Sequence, residues 1–365
     1  MTSGAFTAAG TGHLQRLRAW MASQGVDAAY ITRPVSVAYL TGFRSEPMER
    51  LMALTIRPEG ATLIVPALEK DHAVSAVSDV GVVGWSDGED PHVLVREALT
   101  GAERVAVEKD HLSVRQAELL QLRHMSDISG EVRRMRSIKT AGELEKLHRA
   151  AAITDRAYEE VVRAIRVGQS ELDVANMITA AISGAGATLS FEPLVQFGQH
   201  SAVPHHRPAD VRMALGDLVL LDFGAAVDGY CADTTRMAVA GEPTREQEEV
   251  HRVVLDAHDA AIAAVRAGAA AGAVDAAARD VIERAGHGDD FIHRTGHGLG
   301  LEAHEDPSLD PGSRAHLEAE MVCTIEPGIY MQGWGGVRIE DDVVVESHGA
   351  RLLTQADRSL YVIPA

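Results

Sequence analysis

The sequence predicts an α/β (α+β) protein of two domains, a small N-terminal α/β domain over residues 1–128 and a larger C-terminal domain over 129–365. In the first half, short β-rich runs alternate with helical stretches, the pattern of a small α/β layer. In the second half, two apolar hairpin-like segments recur, each preceded by helices. That repeat predicts a pseudo-two-fold domain with a curved antiparallel sheet and helices outside it. A length of 365 residues at 46% hydrophobic content suffices for two substantial cores.

Along the chain, residues 13–25 have the spacing of an amphipathic helix, and DAAYIT, ATLIVPALE, GVVGWS and RVAVEK have the composition of strands. Helical stretches are expected at 91–100 and 114–125. The arginine-rich stretch SGEVRRMRSIKTAGELEKL then opens the second domain. Thr140 followed by Glu143 forms a capping box, which predicts helices at 141–166 and 171–184. Alanine-rich stretches at 245–267 and 272–286 are helical by propensity, punctuated by Gly268 and Gly272.

The first apolar segment, LVLLDFGAAVDGYCADTTRMAV, folds back on Asp228-Gly229, the dipeptide favoured in two-residue type I′ turns. With those two residues as the turn, Asp222 faces Thr235 and Asp233 faces Gly224. The aspartates then share one sheet face as diagonal neighbours, roughly 7 Å apart. The second segment, MVCTIEPGIYMQGWGGVRIEDDVVV, places Glu326 at the end of one apolar strand and Glu340 on the returning one. Acids in such runs cost several kcal/mol if buried without a cation or a hydrogen-bond partner. Between the hairpins, RTGHGLGLEAHEDP sets His297 among glycines that allow close backbone approach, with His304 further on. Asp222, Asp233, His297, Glu326 and Glu340 together form a ligand set for two hard or borderline divalent cations.

A formal net charge of −19 argues against nucleic acid or an anionic membrane surface as partner. Two cysteines, Cys231 and Cys323, make no disulfide framework and are expected as buried small hydrophobes. The N-terminal stretch MTSGAFTAAGTGHLQRLRAW lacks the charge and apolar pattern of a signal peptide, and no apolar run is long enough to span a bilayer. A cytoplasmic location is the expectation.

These motifs resemble those of the Xaa-Pro peptidases, the prolidases and aminopeptidases P of the pita-bread metallopeptidase group. The likeness runs almost continuously from MRSIKTAGELEKLHRAA through PHH, GDLVLLDFG, CADTTR, RTGHGLGLEAHEDP, TIEPGIY and VRIED. The first half is similar only in general character. The resemblance implies a pita-bread domain in which Asp222 chelates one metal, Asp233 and Glu340 bridge both, and His297 and Glu326 complete the other site. It implies two divalent ions, manganese first, with cobalt or zinc as alternatives. Glu326, His205 and His304 would be catalytic, with His205 favoured over His206 by the Pro-His order and the spacing to Asp222. Arg338 and Tyr330 match proton-transfer positions, and His293 matches a substrate-pocket histidine.

Hydrolysis of the Xaa-Pro bond by a metal-bridging hydroxide is the implied reaction, with Glu326 as proton acceptor and His205 and His304 at the oxyanion or the proline. Dipeptides are the expected substrates, and longer Xaa-Pro-Yaa peptides the alternative. A dipeptide presents a free carboxylate beside the scissile bond, and Arg44 in TGFRSEPMERL is the candidate clamp for it, lent by the N-terminal domain or a second subunit. Gating and assembly, expected as a homodimer, would belong to that domain. Methionine aminopeptidases share the five ligand types but not the PHH and HEDP contexts. Creatinase-like hydrolases and a non-catalytic peptidase-like binding module are less consistent with a complete ligand set.

Overall fold

The computed structural model describes residues 4–122 and 124–365, so residues 1–3 of the N-terminal stretch and position 123 of the expected 114–125 helix lie outside the described residues. The chain divides into two compact units, Met1–Arg136 and Ser137–Ala365.

The first unit contains α1 (Gly4–Gln24), β1 (Ala28–Ile31), α2 (Pro34–Thr41), β2 (Ala53–Ile56), β3 (Ala61–Pro66), α3 (Lys70–Ala76), β4 (Gly81–Trp85), α4 (Pro91–Ala98), β5 (Arg104–Val107), α5 (Val114–Leu120), β6 (His124–Asp127) and all but the last residue of α6 (Ser129–Ser137). The strands form one mixed sheet in the order β4-β3-β2-β1-β5-β6. Leu14, Leu17 and Met21 bury the inner face of α1 at the spacing the sequence predicts.

Two of these strands were not anticipated. In β2 all four residues are buried, so no polar alternation marks it. Strand β6 replaces the end of the expected helix, because Gln121 takes a left-handed conformation (φ 53°) that stops α5 at Leu120. His124–Asp127 then pairs in parallel with β5 as an edge strand.

The second unit opens with α7 (Ala141–Ala164) and α8 (Glu171–Gly184), followed by β7 (Thr188–Leu189), β8 (Leu194–Phe197), β9 (Leu218–Phe223), β10 (Ala225–Val227), β11 (Tyr230–Cys231) and β12 (Thr234–Ala240). It continues with α9 (Arg245–Ala264), α10 (Ala271–Arg284), β13 (Gly296–Gly298), β14 (Glu305–Leu309), β15 (Val322–Ile325), β16 (Gly328–Met331), β17 (Gly335–Arg338), β18 (Asp341–Glu346), β19 (Gly349–Leu352) and β20 (Tyr361–Ile363). The capping box at α7 is present in both directions, with Thr140 accepting from the Glu143 N–H and Glu143 accepting from the Thr140 N–H. The pseudo-symmetry is visible in the packing. One buried cluster joins α7 and α8 to β9, and the other joins α9 and α10 to β15 and β18. It is also visible locally, since Arg166-Val167-Gly168 after α7 and Arg266-Ala267-Gly268 after α9 both turn through a left-handed glycine (φ 89° and 84°).

The first hairpin has the expected register: Asp222 pairs with Thr235, Val227 with Tyr230, and Asp228 and Gly229 both have positive φ (49° and 71°), as a type I′ turn requires. The ladder is not continuous. At Gly224 and Ala232-Asp233 the chain passes from the β8-β9-β12-β20 sheet to the small β7-β10-β11 sheet. A Cβ on Gly224 would lie 1.7 Å from the Ala232 carbonyl oxygen, so only glycine fits this crossing. The second hairpin breaks in the same way at Glu326-Pro327 and Ile339-Glu340, between the β15-β18 and β16-β17 ladders. An isolated bridge, Thr235 to Glu340, joins the two hairpins at these breaks.

Beside that seam, the fully buried Asp341 carboxylate takes Arg236 Nη2 at 2.7 Å and Thr354 Oγ1 at 2.7 Å, has His258 Nε2 at 3.0 Å, and accepts from Arg358 Nε. Burial alone would raise its pKa, but Arg236, His258 and Arg358 hold it far below the usual carboxylate range. Asp341→Asn leaves the 0% exposed Arg236 without its counter-charge, and a loss of about 3–5 kcal/mol in denaturant unfolding is expected. Because the folded pKa is depressed, this contribution is present above the unfolded carboxylate range and is lost as pH falls through the folded value. An unchanged midpoint in the variant would refute the assignment.

Candidate metal centre

The interruptions in the two hairpins place the acids. Asp222 is the penultimate residue of β9, whereas Asp233, Glu326 and Glu340 sit in the breaks, where side chains are released from strict alternation. At the break, the Asp233 N–H donates to Asp342 Oδ2 (2.9 Å), and the Glu326 N–H donates to the Thr295 carbonyl (2.7 Å). His297 comes from β13, where the missing Cβ of Gly296 admits the Thr324 carbonyl oxygen, 2.0 Å from where that carbon would sit.

Asp222, Asp233, His297, Glu326 and Glu340 converge on one cavity of about 980 Å³. Donor atoms of Asp233, His297 and Glu340 all lie within 4.8 Å of one another. His297 Nε2 is 3.2 Å from Glu326 Oε1 and 4.0 Å from Asp233 Oδ2, while its Nδ1 is 3.1 Å from the Gly298 carbonyl oxygen. Nδ1 therefore donates to that carbonyl, and Nε2 is the atom presented to the acids. Burial would raise Glu326, but the hydrogen bond and charge of His297, with His293 and Arg338 nearby, hold it at about 2.

The other acids move the opposite way. Burial, then the charges of Glu340, Asp222 and other acids, push Asp233 well above its ordinary range. Glu340 is pushed up by burial and by Glu326 and Asp222, and Asp222 is raised by burial even though Arg338 opposes the shift. Asp222 Oδ1 and Asp233 Oδ1 are buried without a hydrogen-bond partner. Unpartnered carboxylate oxygens among like charges, with an imidazole nitrogen aimed at them, fit divalent cations.

Around this set, Arg338 donates to Asp222 Oδ2, to Thr235 Oγ1 (3.0 Å) and to Tyr330 Oη (2.9 Å). Thr235 in turn donates to Glu340 Oε2 (2.6 Å). His293 Nδ1 donates to the Arg294 carbonyl (2.7 Å), which leaves its Nε2 to accept from Tyr330 Oη at 2.8 Å. Burial pushes Tyr330 up to about 12 and lowers His293, so both are neutral partners. His293 and Arg338 line the cavity, whereas Tyr330 lies behind them, 4% exposed, and does not line it.

His205 and His304 are both on the cavity wall. His206 turns away, with Nε2 3.5 Å from Glu171 Oε2. The loop holding both histidines is tied down by Gln196 Nε2, which donates to the Pro204 and His206 carbonyls (3.3 and 3.0 Å). The His304 ring meets that of His297 edge-on, with centroids 4.2 Å apart. Burial, then the nearby His297 and Arg294, lower His304 to about 4. Arg44 belongs to the first unit, just past α2. Cys231 and Cys323 are buried, and burial drives Cys323 to about 12, as expected of inert thiols.

Sequence reasoning did not single out Thr235, Asp342 or Arg294. Thr235 was within reach, since the hairpin register already set it opposite Asp222. Asp342 follows Asp341 directly in the sequence, but only the structure shows which of the two caps Asp233.

A pita-bread domain carrying buried acids and a histidine around one cavity defines a metal-dependent hydrolase. The chain belongs to metallopeptidase family M24, whose model matches residues 145–347, and residues 13–138 match the Creatinase/Prolidase N-terminal domain. It is 38% identical to an uncharacterized peptidase of Staphylococcus haemolyticus, over 94% of this chain and 99% of that protein. Among solved structures, it is similar to a Xaa-Pro dipeptidase from Bacillus anthracis (33% identity, TM-score 0.90, 97% of this chain and 100% of that one). It is also similar to an X-Pro aminopeptidase from Thermotoga maritima (32% identity, TM-score 0.89, 96% and 99%). The likeness to the Xaa-Pro peptidases read from the sequence motifs is borne out. No helix among the described residues is long and apolar enough to cross a membrane.

Proposed function

We propose that the protein hydrolyses the Xaa-Pro bond of dipeptides at a dinuclear centre held by Asp222, Asp233, His297, Glu326 and Glu340. One observation carries the reading: this acid and imidazole set opens into a cavity whose wall bears both His205 and His304. Two divalent ions, manganese by preference, would supply Lewis acidity at the scissile carbonyl and make water acidic enough to attack near neutral pH.

The chain's own residues do the rest. Glu326, held ionised, accepts the proton of the attacking water and passes it to the proline nitrogen. His304, at about 4, is neutral at pH 7, so it donates a hydrogen bond to the developing oxyanion without adding charge, and His205 stands on the same wall to join it. Arg338 and Tyr330 hold Asp222 and His293 in place. The bond before proline has no N–H, so a site closed around the imino ring recognises it by shape. Phe191, Leu194, Val203 and Ile292 supply apolar wall for that ring.

The first unit is assigned the choice of peptide length and the contacts of a homodimer, with Arg44 as clamp for the free carboxylate of a dipeptide. A charge-assisted pair contributes about 1.5–3 kcal/mol, so the metal-reconstituted enzyme should show a kcat/KM about ten- to a hundredfold higher on Xaa-Pro than on Xaa-Pro-Yaa. Arg44→Ala should erase that margin by slowing the dipeptide alone. Equal losses on both substrates would remove Arg44 from length selection. A wild-type preference for the longer peptide would identify an aminopeptidase P, the second reading, which the Thermotoga maritima neighbour favours.

A further inference from the structure

Outside this centre, a second cluster of metal-ligating side chains lies behind the loop that carries His205. Glu171, the first residue of α8, is 0% exposed. Its Oε1 accepts from the Phe197 N–H (2.8 Å), and its Oε2 accepts from the Ala209 N–H (2.9 Å), so the carboxylate is fixed in place. His200, in the 3-10 turn Gly198–Ala202, brings Nδ1 to 2.8 Å from Oε1. His206 brings Nε2 to 3.5 Å from Oε2. The three donor atoms lie within 4.8 Å of one another, and the two imidazole rings are 3.8 Å apart at 41°.

Hydrogen bonding accounts for His200, whose Nδ1 pairs with Oε1, but not for His206. His206 Nε2 is shielded from solvent and has no hydrogen-bond partner, although it points at a carboxylate. Oε2 retains acceptor capacity on that side, because a carboxylate oxygen offers two lone pairs and Ala209 uses one. If Nε2 bears no proton, two lone pairs face each other. If Nε2 bears the proton, the donor stops 3.5 Å from Oε2 and makes no hydrogen bond. A cation bound between the rings removes both difficulties. Four-coordinate zinc with ligands at about 2.1 Å sets its donors about 3.4 Å apart, and the separations of 2.8 Å to Oε1 and 3.5 Å to Oε2 lie on either side of that spacing.

We propose that Glu171, His200 and His206 form an additional transition-metal site, of zinc type, separate from the hydrolytic centre. Two imidazoles and one carboxylate favour zinc over manganese, whereas four carboxylates and one imidazole favour harder ions, so the two sites sort metals by ligand chemistry. Both histidine rings are partly exposed, 32% and 27%, although Nε2 of His206 is itself shielded. Bound zinc ties His206 to α8, and with it the adjacent His205. Zinc supply therefore sets how firmly the His205 wall of the cavity is held, a consequence that rests on the peptidase reading, whereas the site itself does not.

The test compares the full chain with His200→Ala and with the double variant H200A/H206A. Each is stripped of metal, equilibrated with buffered zinc and dialysed, and its zinc content is measured by mass spectrometry. Wild type is expected to retain one equivalent more than the double variant, whatever the occupancy of the hydrolytic centre, since that occupancy cancels in the difference. His200→Ala alone, at a side chain 32% exposed, is expected to weaken this equivalent more than about 100-fold, beyond the loss typical of an outer-sphere partner. Anomalous diffraction at the zinc edge should show a peak between His200 and His206. Equal zinc content in wild type and both variants, or an extra equivalent that survives His200→Ala undiminished, overturns the proposal.

Discussion

Asp233→Asn is expected to abolish turnover, by about 1,000-fold or more, and to lower metal content, while leaving the metal-free protein at least as stable as wild type. The three parts have one cause. Asp233 is 4% exposed, its Oδ1 has no hydrogen-bond partner, and its carboxyl is pushed well above the ordinary range by burial and then by Glu340, Asp222 and the other acids. In the metal-free fold that carboxylate is a liability, and an amide of the same shape removes the charge that the fold has to bear. In the loaded enzyme it would be an anionic ligand, with its donor atom within 4.8 Å of those of His297 and Glu340. Metal analysis by mass spectrometry, turnover on Xaa-Pro and thermal unfolding after chelation separate these effects. A variant with full metal content and full turnover would show that Asp233 does not bridge the ions. A variant that unfolds early without metal would mark Asp233 as a structural residue, through the backbone contact its N–H makes with Asp342.

The features that were legible in the sequence are those set by local chemistry. Asp-Gly at 228–229 forces a type I′ turn, and that turn alone puts Asp222 opposite Thr235. Thr140 and Glu143 start α7 at Ala141, as their spacing requires. The features that were not legible depend on partners far along the chain. Strand β2 has no polar face because it is covered on both sides, so its signal is indistinguishable from that of any short apolar run. Strand β6 has three exposed residues among its four and persists through pairing with β5. The breaks at Asp233, Glu326 and Glu340 arise where two sheets meet, and only the crowding at Gly224 hints at one of them. Tyr330 was matched to a proton-transfer position, but a place four residues past Glu326 says nothing about depth, and Tyr330 bonds to Arg338 and His293, which line the cavity in front of it. The internal repeat left a trace in the Arg-x-Gly turns at 166–168 and 266–268, which are too short to stand out from chance without the helices that flank them.

Removing the metals should destabilise the protein increasingly as pH rises. Metal at a thousand times its dissociation constant stabilises the folded state by about 4 kcal/mol, which for a domain of this size is about 8–16 °C in Tm. The pH dependence follows from the acids that would hold it. Asp233 and Glu340 are shifted well upward in the metal-free fold, by burial first and then by neighbouring acids, whereas in the unfolded chain they titrate near their ordinary values of about 4. Between those two ranges the metal-free fold binds more protons than the unfolded chain. Its stability is therefore full below the unfolded pKa and declines as pH rises through the folded values. The loaded protein does not follow that decline, because a divalent charge replaces the protons. The Tm difference between loaded and stripped protein should widen from pH 5 to pH 8, and metal uptake near pH 7 should release protons. Titration calorimetry in two buffers of different ionisation enthalpy counts those protons, and Asp233→Asn should release fewer. No proton release, or a gap that narrows with pH, would mean that the acids are already ionised in the empty site. The carboxylates would then be balanced by Arg338 and His297 alone, and the case for two ions rather than one would lose its electrostatic basis.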